Sequence, residues 1–501
     1  MALDDLPVTA NGKLDRASLP APAYVEEIRA PRTPLEEGLC RAFANVLGLT
    51  EVGVDTSFFD AGGHSLLITQ LIARIRSETD YEVPLSGVFS YPTPATLARA
   101  LDESRTVLTP SIDVASESSL APDISIAEVA APICGDARTV LLTGATGFLG
   151  AFLLRELLDG TAARVWCLVR AEGEEASRLR IIQAMIRYGI WDQKYADRIC
   201  PLAGDLTKPK LGLSTEGWSR LAGEVDTIYH NGAMVNHIAH YAALRTANVA
   251  GTQEILRLAC TVRVKPVHFV STAGVPVDPH ADPAVRTSAL DDDHPMSGYL
   301  ASKWIAECLI HRAGERGLPV RVYRPGLVSG SSSTGAHQES DGVWNLIRAV
   351  AVLGLAPDIT KTTVSFAPVD HVARAIVTLS KLDTDTQVHY LVNQTPTPLR
   401  ELFERVRERY PLKYVPIEQW LAVLDDDVEH DALVHAKLLL PSIRLMLEAS
   451  VPEPQWDGDS TRRALEAESV AAPSVDGRIL TMYLDHFEGT GFLPKREERR
   501  L

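Results

Sequence analysis

The chain has 501 residues, of which 46% are hydrophobic, and this is typical of a globular protein of about three domains. Its net charge of −16 argues against nucleic acid or an anionic membrane as the main partner, because both recruit clustered cations. The six cysteines form no C-x-x-C pair, and neither a membrane-spanning run nor a signal-peptide pattern is present. We therefore predict a cytoplasmic monomer with reduced thiols.

Residues 1–30 are rich in proline and polar side chains, and they are too short to fold alone. Asn11-Gly12 is a strong turn signal. The run around it resembles the last motif of an adenylation domain of a nonribosomal peptide synthetase, in which a lysine in the position of Lys13 contacts the acyl-adenylate. We expect a remnant of that domain and assign Lys13 no catalytic role.

Residues 31–105 predict a small helical bundle. Apolar residues recur at helical spacing in two stretches, and Thr93-Pro94 marks the start of a last helix, with the proline at an early helical position. The second stretch follows a glycine-rich run, and that run contains the most informative serine of the chain.

The run is Asp60-Ala61-Gly62-Gly63-His64-Ser65-Leu66. Its glycines supply a loop that another protein can approach closely, and Ser65 lies at a helix N-terminus, where backbone N–H groups and the helix dipole favour a phosphate. A serine that only caps the helix is the alternative interpretation. The run resembles the attachment site of peptidyl carrier domains. This resemblance implies that a phosphopantetheinyl transferase attaches 4'-phosphopantetheine covalently to Ser65.

Residues 106–136 are dominated by Ser, Ala, Pro and Asp, and they predict a flexible linker. After it, short apolar runs alternate with amphipathic stretches, which indicates βαβ units around a parallel sheet. We predict an α/β, doubly wound, Rossmann-like core over residues 137–370 and a smaller, mostly helical, substrate-side subdomain over residues 371–501. The predicted strands are Val140–Leu142, Val165–Val169, Thr227–Tyr229, Val267–Val270 and Val320–Tyr323.

A glycine-rich turn follows the first predicted strand. Its three glycines permit a tight turn, close approach of the backbone to a pyrophosphate and close packing of a helix on the strand. Glycine triplets are common, so a plain βα turn is the alternative. The cofactor-binding residues predicted in this turn are Gly144, Thr146, Gly147, Phe148, Leu149 and Gly150.

The second strand is followed by Arg170, twenty residues after Gly150, where an acid would hold the ribose hydroxyls of NAD. An arginine instead suits the 2'-phosphate of NADP, with Arg178 as a second cation, and we therefore predict NADPH. A solvated helix face is the alternative for Arg178. Further along, Asp205-Leu206 follows an apolar stretch, and Asp205 is either an adenine contact or a turn aspartate.

The later part of the predicted sheet supplies more cofactor contacts. His230-Asn231-Gly232-Ala233 ends the strand Thr227–Tyr229, at the edge of the sheet where ligands bind in such folds. We therefore place Asn231 and Ala233 beside the nucleotide. Asn248 either orients this centre or caps a helix, and both interpretations stay open.

Tyr299 and Lys303 lie four residues apart on one face of a predicted helix. A tyrosine donates a proton to a developing alkoxide when its pKa falls from about 10 toward neutrality, and Lys303 favours the phenolate and can bind the nicotinamide ribose. Thr272 ends a strand, where its hydroxyl can hold the substrate oxygen, and Ser271 is the alternative for that role. A surface pair of tyrosine and lysine is the other interpretation.

The glycine turn, Thr272, the Tyr299–Lys303 pair and Arg324-Pro325-Gly326 together resemble the extended short-chain dehydrogenase/reductase family. The closest resemblance, over roughly residues 138–330, is to the thioester reductase domains that end some nonribosomal peptide synthetases and to those of carboxylic acid and aminoadipate reductases. It implies catalytic roles for Thr272, Tyr299 and Lys303, with Tyr299 and Lys303 also contacting NADPH. The substrate implied is a carrier-tethered acyl or peptidyl thioester from upstream synthetase modules, released as an aldehyde or reduced further to an alcohol.

Two other functions stay open at the level of sequence. A nucleotide-sugar epimerase or dehydratase uses the same threonine–tyrosine–lysine set, but the fused carrier argues against it. An inactive docking module is the second, and the intact Tyr299–Lys303 pair argues against that. No metal site is predicted, because His430 and His435 lack the spacing of metal-binding histidines on a helix.

Overall fold

The structure, a computed structural model, divides the chain into two compact units, Met1–Leu108 and Thr109–Leu501. Most of the predicted adenylation remnant, together with His64 and His430, lies outside the residues that the structure describes. The described residues are 29–63, 65–79, 81, 83, 87–88, 91–103, 114–127, 129–133, 135–236, 239, 241–275, 297–383, 386–425, 431–448 and 458–494.

In the described part of the first unit, three helices pack around one apolar core. They are α1 (Pro34–Leu47), α2 (Ser65–Glu78) and α3 (Pro94–Glu103). Thr33 caps α1 by accepting a hydrogen bond from the Glu36 N–H at 3.1 Å. The helix α2 begins at Ser65, so the serine lies at the helix N-terminus that the sequence predicts.

The turn before α2 needs both of its glycines. Gly62 has a φ of +96°, a conformation that L-residues rarely adopt. A Cβ on Gly63 would lie 2.4 Å from both the ring and the carbonyl oxygen of the fully buried Phe58. The backbone conformation therefore requires Gly62, and packing beneath the turn requires Gly63; both reasons are separate from the approach of another protein.

The second unit is built on a seven-stranded parallel sheet with the strand order β11-β6-β5-β4-β1-β2-β3. Three two-stranded pairs, β10–β7, β12–β9 and β13–β8, lie outside it. The strands are β1 (Thr139–Thr143), β2 (Arg164–Val169), β3 (Ile199–Ala203), β4 (Thr227–His230), β5 (Val267–Val270), β6 (Val320–Pro325), β7 (Leu327–Ser329), β8 (Leu355–Pro357), β9 (Thr363–Val364), β10 (Phe366–Pro368), β11 (Val388–Leu391), β12 (Thr397–Pro398) and β13 (Lys413–Val415).

Helices surround this sheet and form most of the C-terminal part. Those described in the second unit are α4 (Val114–Glu117), α5 (Phe148–Gly160), α6 (Glu174–Arg187), α7 (Thr215–Glu224), α8 (Tyr241–Arg245), α9 (Gly251–Ala259), α10 (Ser297–Glu315), α11 (Gly342–Leu353), α12 (Val369–Lys381), α13 (Leu399–Arg407), α14 (Ile417–Asp425), α15 (Val434–Leu438), α16 (Leu440–Glu448), α17 (Asp459–Ala467) and α18 (Gly477–Thr490). Short 3-10 helices cover Gln193–Arg198, Pro209–Gly212 and Asp431–Leu433, and a π-helical segment, Thr246–Ala250, lies between α8 and α9.

The predicted fold class is confirmed, and all five predicted strands are present. The two unpredicted strands of the main sheet, β3 and β11, are its edges. β3 contains Pro201, which an edge strand tolerates because one side of its backbone needs no partner in the ladder. Alternate residues of β1 face opposite apolar clusters, with Leu141 in one cluster and Val140 and Leu142 in the other.

The predicted boundary at residue 370 is wrong for the elements on either side of it. The helix α12 packs on α5 within a cluster on the main sheet, and β11 completes that sheet, so both belong to the Rossmann-like core. The helix α11 precedes the boundary but contributes to a separate C-terminal cluster with α13, α14 and α18. The chain therefore enters the smaller subdomain, returns to the core and leaves it again.

The expectation of a flexible linker is wrong for the described residues between 114 and 133, which we call the strap. Val114, Leu120 and Ile124 of the strap are buried in the apolar cluster that also contains α9 and α10. Its Ala130 forms an isolated parallel bridge with Arg263. These three residues lie in a short helix and in the irregular backbone after it, so their spacing follows no regular period and did not predict their burial.

Charged side chains fix the strap to three helices of the core. The Glu117 carboxylate accepts hydrogen bonds from the Tyr241 hydroxyl at 2.8 Å and from Arg245 Nε at 2.7 Å. Asp123 forms an ion pair with Arg257. On the C-terminal side of α10, guanidinium groups bind strap carbonyls, with Arg312 on that of Ser118 and Arg316 on those of Leu120, Ala121 and Ile124.

We expect Glu117→Ala to lower the free energy of unfolding of the second unit by about 1–2 kcal/mol, because two charge-assisted hydrogen bonds are lost. Urea unfolding of the full chain, followed by tryptophan fluorescence, measures this, since all seven tryptophans lie in the second unit. The control Glu466→Ala removes an exposed pair with Arg462 on α17 and should cost about 0.3–0.5 kcal/mol. Equal losses in the two variants would show that the strap is not a structural part of the unit.

Candidate active site

The carboxyl ends of β1 and β4 meet at the centre of the main sheet, where the strand order reverses and where ligands bind in doubly wound folds. Gly144, directly after β1, has a φ of +74°. A Cβ on it would lie 2.8 Å from Gly232 Cα and 3.0 Å from the Asn231 amide nitrogen. The glycine turn and the segment after β4 are therefore in direct contact, and only glycine permits it.

The third glycine of the turn is under an even tighter restriction. A Cβ on Gly150 would lie 1.9 Å from the Gly144 carbonyl oxygen and 2.9 Å from the Asn231 amide nitrogen. Gly147 is the N-cap residue of α5 and brings no capping side chain, which leaves N–H groups of the first helical turn available to a phosphate. This bare cradle fits the pyrophosphate of a dinucleotide.

The other predicted nucleotide contacts lie along the same edge of the sheet. Arg170 is exposed directly after β2, and the Arg180 guanidinium binds its carbonyl oxygen. Arg178 lies in α6, with its Nη2 3.7 Å from a carboxylate oxygen of Glu174. The residues Thr146, Phe148, Leu149 and Ala233 are partly exposed at this edge.

Asp205 and Leu206 have structural contacts of their own. Asp205 accepts a hydrogen bond from the Thr207 N–H at 2.9 Å, as a turn aspartate does. The Leu206 side chain lies 2.9 Å from the position of a Cβ on Gly232, so it packs beneath the segment after β4. The structure thus shows a turn role for Asp205 and packs Leu206 beneath the segment after β4.

A chain of hydrogen bonds connects β1, β4 and α9 below the cleft. The Gly232 N–H donates to Thr143 Oγ1 at 2.8 Å, and Thr143 Oγ1 lies 2.9 Å from His230 Nδ1. His230 Nε2 lies 3.0 Å from Thr252 Oγ1, which donates to the Asn248 carbonyl at 2.6 Å. The Thr252 hydroxyl already donates its only proton to the Asn248 carbonyl, so it can only accept from the ring, and His230 Nε2 must be the donor. Burial lowers the pKa of His230 to about 3, so the ring is neutral, as this arrangement requires.

Asn248 lies in the π-helical segment, a feature often found at functional sites. Its amide nitrogen donates to Ser302 Oγ at 2.9 Å and to the Met234 carbonyl at 3.0 Å, and its amide oxygen accepts from the Met234 N–H at 2.7 Å. Ser302 in turn donates to the Tyr299 carbonyl at 2.8 Å. The sequence left Asn248 as either an orienting residue or a helix cap. Its contacts are those of an orienting residue, because its side chain links the segment after β4 to α10.

Lys303 is buried in α10 beside the end of β5. Its Nζ donates to the Val270 carbonyl at 2.7 Å and lies 4.1 Å from the centroid of the Phe269 ring. Burial lowers the pKa of Lys303 to about 7, and the carboxylate of Glu307, one helical turn further on, opposes this shift. The amine is thus held at the strand end and not on the surface.

The structure corrects the expectation that the pKa of Tyr299 is lowered toward neutrality. Burial raises the pKa of Tyr299 to about 12, and the ammonium group of Lys303 is directed to the Val270 carbonyl. The phenol is therefore protonated at neutral pH, which suits a proton donor and not a phenolate.

The two candidate hydroxyls at the end of β5 have different surroundings. The Ser271 hydroxyl donates to the buried carboxylate of Glu307. Thr272 Oγ1 instead accepts from the Gly274 N–H at 3.3 Å. A Cβ on Gly274 would lie 2.9 Å from the side chain of Leu300, so Thr272 lies close to the first turn of α10. Thr272 is therefore the better placed of the two to meet a substrate.

Several residues of the site were not singled out from the sequence. They are polar side chains buried behind the cleft, namely Thr143, Thr252, Ser302 and Glu307. Ser302 and Glu307 lie on the helix that carries Tyr299 and Lys303, and Thr143 directly precedes the glycine turn. Of these four residues, only Thr143 could have been found from the sequence, because a polar residue at the end of a buried strand needs a hydrogen-bond partner.

Fold and site together define a carrier domain joined to a reductase of the short-chain dehydrogenase type. The family described as "Phosphopantetheine attachment site" matches residues 37–101, and the family described as "Male sterility protein", a nicotinamide-cofactor-binding domain, matches residues 142–376. None of the helices in the described part of the chain is long and apolar enough to cross a membrane.

Solved structures resemble the second unit closely. The terminal R domain of the myxalamid biosynthetic pathway is 38% identical, with a TM-score of 0.68, and the match covers 77% of this chain and 99% of that one. The reductase domain of a nonribosomal peptide synthetase from Mycobacterium tuberculosis is 28% identical, with a TM-score of 0.63. That match covers 76% of this chain and 100% of the reductase domain.

Longer relatives match the chain from end to end. A linear gramicidin synthase from Brevibacillus parabrevis is 39% identical over 525 residues, which cover 100% of this chain and 10% of that protein. L-2-aminoadipate reductase from Schizosaccharomyces pombe is 31% identical over 557 residues, which cover 98% of this chain and 38% of that protein. This chain therefore spans much less than two thirds of these curated relatives. It belongs to the carrier and terminal reductase domains of nonribosomal peptide synthetases, which confirms the resemblance seen in the sequence.

We expect Gly150→Ala to weaken binding of the nicotinamide cofactor about ten- to hundredfold, because overpacking typically costs about 1–3 kcal/mol and the added Cβ would displace the Gly144 carbonyl. Fluorescence titration with NADPH measures the dissociation constant. The control is Gly223→Ala in α7, where an added Cβ has no atom within 4 Å. If both variants bind NADPH as tightly as the unaltered chain, the turn is not the cofactor cradle.

Proposed function

We propose that the second unit reduces an acyl or peptidyl thioester carried on Ser65 to an aldehyde, with NADPH as the reductant. The observation that carries this proposal is the combination of a carrier serine with Thr272, Tyr299 and Lys303 beside a nucleotide cradle in one chain. The chain's membership of the carrier–reductase family supports it.

Residues along the carboxyl edge of the sheet would hold the cofactor. The glycine turn and the start of α5 suit the pyrophosphate, and Asn231 and Ala233 border the same crevice. Arg170 and Arg178 suit the 2'-phosphate that distinguishes NADPH from NADH. The bound cofactor supplies the hydride. Lys303, whose Nζ donates to the Val270 carbonyl at 2.7 Å, would bind the nicotinamide ribose.

The chain's own side chains act on the carbonyl oxygen of the thioester. As a C–H bond forms at the carbonyl carbon, negative charge develops on that oxygen, and the Thr272 hydroxyl donates a hydrogen bond to it. Tyr299 supplies the proton, since its pKa of about 12 keeps the phenol protonated. The resulting hemithioacetal loses its C–S bond, which gives the free aldehyde and returns the proton and the sulfur as the carrier thiol.

Delivery of the thioester is intramolecular, which raises its effective concentration at the cleft. The strap itself is part of the second unit, and its first residue, Val114, follows the end of α3 at Glu103 by eleven positions in the sequence. A phosphopantetheinyl transferase would load Ser65, and upstream synthetase modules would supply the acyl group. Relatives named for gramicidin synthesis and for aminoadipate reduction share this architecture, so peptidyl and amino-acyl thioesters are both candidate substrates.

We expect a preference for NADPH over NADH of about ten- to hundredfold, since a charge-assisted phosphate contact contributes about 1.5–3 kcal/mol. Arg170→Ala should remove most of this preference by raising the Michaelis constant for NADPH. Steady-state kinetics with both cofactors measure it, with Arg187→Ala at the far end of α6 as the control. Equal use of the two cofactors by the unaltered chain would contradict the assignment of Arg170.

Because Ser65 is proposed to carry the thioester and Tyr299 to supply the proton, Ser65→Ala and Tyr299→Phe should have opposite effects on loading and on reduction. Ser65→Ala should gain no mass from the transferase and coenzyme A, yet reduce a free thioester mimic normally. Tyr299→Phe should load normally but lose about a hundred- to ten-thousandfold in turnover on either substrate, while its NADPH affinity stays within about threefold. Intact mass spectrometry and single-turnover NADPH oxidation measure both. Loading of Ser65→Ala, or near-normal turnover of Tyr299→Phe, would overturn the proposal.

A further inference from the structure

We propose that Ser271 is a positioning residue, which fixes the catalytic hydroxyl of Thr272 by anchoring the end of β5 to a buried ion pair. This inference rests on the proposed function of Thr272 and adds a residue that acts through it. Sequence reasoning left Ser271 and Thr272 as alternatives for one role, whereas the surroundings of the two side chains assign them different roles.

The ion pair joins Glu307 of α10 to Arg324 of β6, and both side chains are only 1% exposed. Arg324 Nη2 lies 2.5 Å from one carboxylate oxygen, and Arg324 Nε lies 3.0 Å and 3.3 Å from the two oxygens. Although burial opposes ionisation, hydrogen bonds and the Arg324 cation hold the pKa of Glu307 below its usual value. The carboxylate is therefore a fixed, charged acceptor behind the cleft.

Further contacts fix this pair within the fold. Arg324 Nη1 also donates to the Tyr390 hydroxyl of β11 at 2.5 Å, and His311 Nε2 lies 3.4 Å from Glu307. The pair thereby connects α10, β6 and β11. Buried ion pairs often add little to stability compared with apolar residues of similar volume, so the value of this one lies in its fixed geometry.

Ser271 connects the end of β5 to this fixed point. Its hydroxyl donates to a Glu307 oxygen, and its N–H donates to the Tyr323 carbonyl at 2.7 Å. On the other side of Thr272, the Ala273 N–H donates to the Pro325 carbonyl at 2.8 Å. The backbone on both sides of Thr272 is thus tied to β6, and the side chain of Ser271 adds a third tie, to α10.

The same contacts show why Ser271 is not itself the catalytic hydroxyl. It is 4% exposed, and its proton is committed to a carboxylate that Arg324 also binds. Thr272 is partly exposed, and its hydroxyl donates no hydrogen bond to any of the described residues. Its proton can therefore be offered to a substrate oxygen.

A double-mutant cycle tests the inference, because residues that act through one another are not additive. The full chain is assayed by single-turnover NADPH oxidation with a free thioester mimic, alongside NADPH titration. We expect Thr272→Ala to lower the rate about a hundred- to thousandfold and Ser271→Ala to lower it about ten- to hundredfold. In the Thr272→Ala background, Ser271→Ala should change the rate by less than about twofold, because no catalytic hydroxyl remains to be positioned.

Matched variants separate positioning from a packing defect. Ser271→Cys keeps the volume but donates weakly, so its rate should fall in the same direction as that of Ser271→Ala. Ser329→Ala removes another buried hydroxyl, one that lies 3.3 Å from that of Tyr483, and should leave the rate unchanged. NADPH affinity should stay within about threefold in every variant.

Each remaining outcome overturns a defined part of the account. Rate losses that multiply in the double variant would show that Ser271 acts independently of Thr272. A normal rate for Ser271→Cys would show that volume matters and the hydrogen bond does not. If Thr272→Ala is nearly normal while Ser271→Ala is severely impaired, Ser271 is the catalytic hydroxyl. If neither substitution lowers the rate, the proposed role of the β5 end in reduction fails with the inference.

Discussion

The close approach of two backbone segments at the centre of the sheet is the constraint on which the rest of the second unit depends. Gly144 meets Gly232 here, and Gly150 meets the Gly144 carbonyl, with no room for a single Cβ at any of the contacts. The N-cap residue of α5, Gly147, has no side chain to cap the N–H groups of the first helical turn. The approach also fixes the segment after β4, through which the buried hydrogen bonds reach the π-helical segment and α10.

Buried polar groups connect this contact to α10, the helix that carries Tyr299 and Lys303. His230 is neutral and has a partner at each ring nitrogen, and Asn248 uses both ends of its amide. Such fully satisfied networks specify one arrangement, whereas a partly satisfied network would be costly in a low-dielectric interior. Burial has opposite effects on the pKa values of the two side chains of α10. It lowers the pKa of the Lys303 amine to about 7 and raises that of the Tyr299 phenol to about 12.

Sequence reasoning succeeded where the signal is local. Five apolar strands, the glycine turn, the helix starting at Ser65 and the order of Thr272, Tyr299 and Lys303 all follow from short patterns, and the fold class follows from their alternation. It failed where tertiary contacts decide. The strap has the composition of a linker but is held by Glu117 and Asp123. The edge strand β11 is short and has His389 and Tyr390 at its centre, and the pKa of Tyr299 depends on burial that no spacing reveals.

The central claim is that hydride reaches the carbonyl carbon of a thioester carried on Ser65. The most direct measurement uses NADPH deuterated at the transferable position of the nicotinamide, with acyl-loaded carrier in a single turnover, and mass spectrometry of the released product. The account predicts an aldehyde that carries deuterium on its carbonyl carbon, and a free thiol on the pantetheine arm. Release of an unlabelled carboxylic acid, or retention of the acyl group on the carrier while NADPH is consumed, would contradict it.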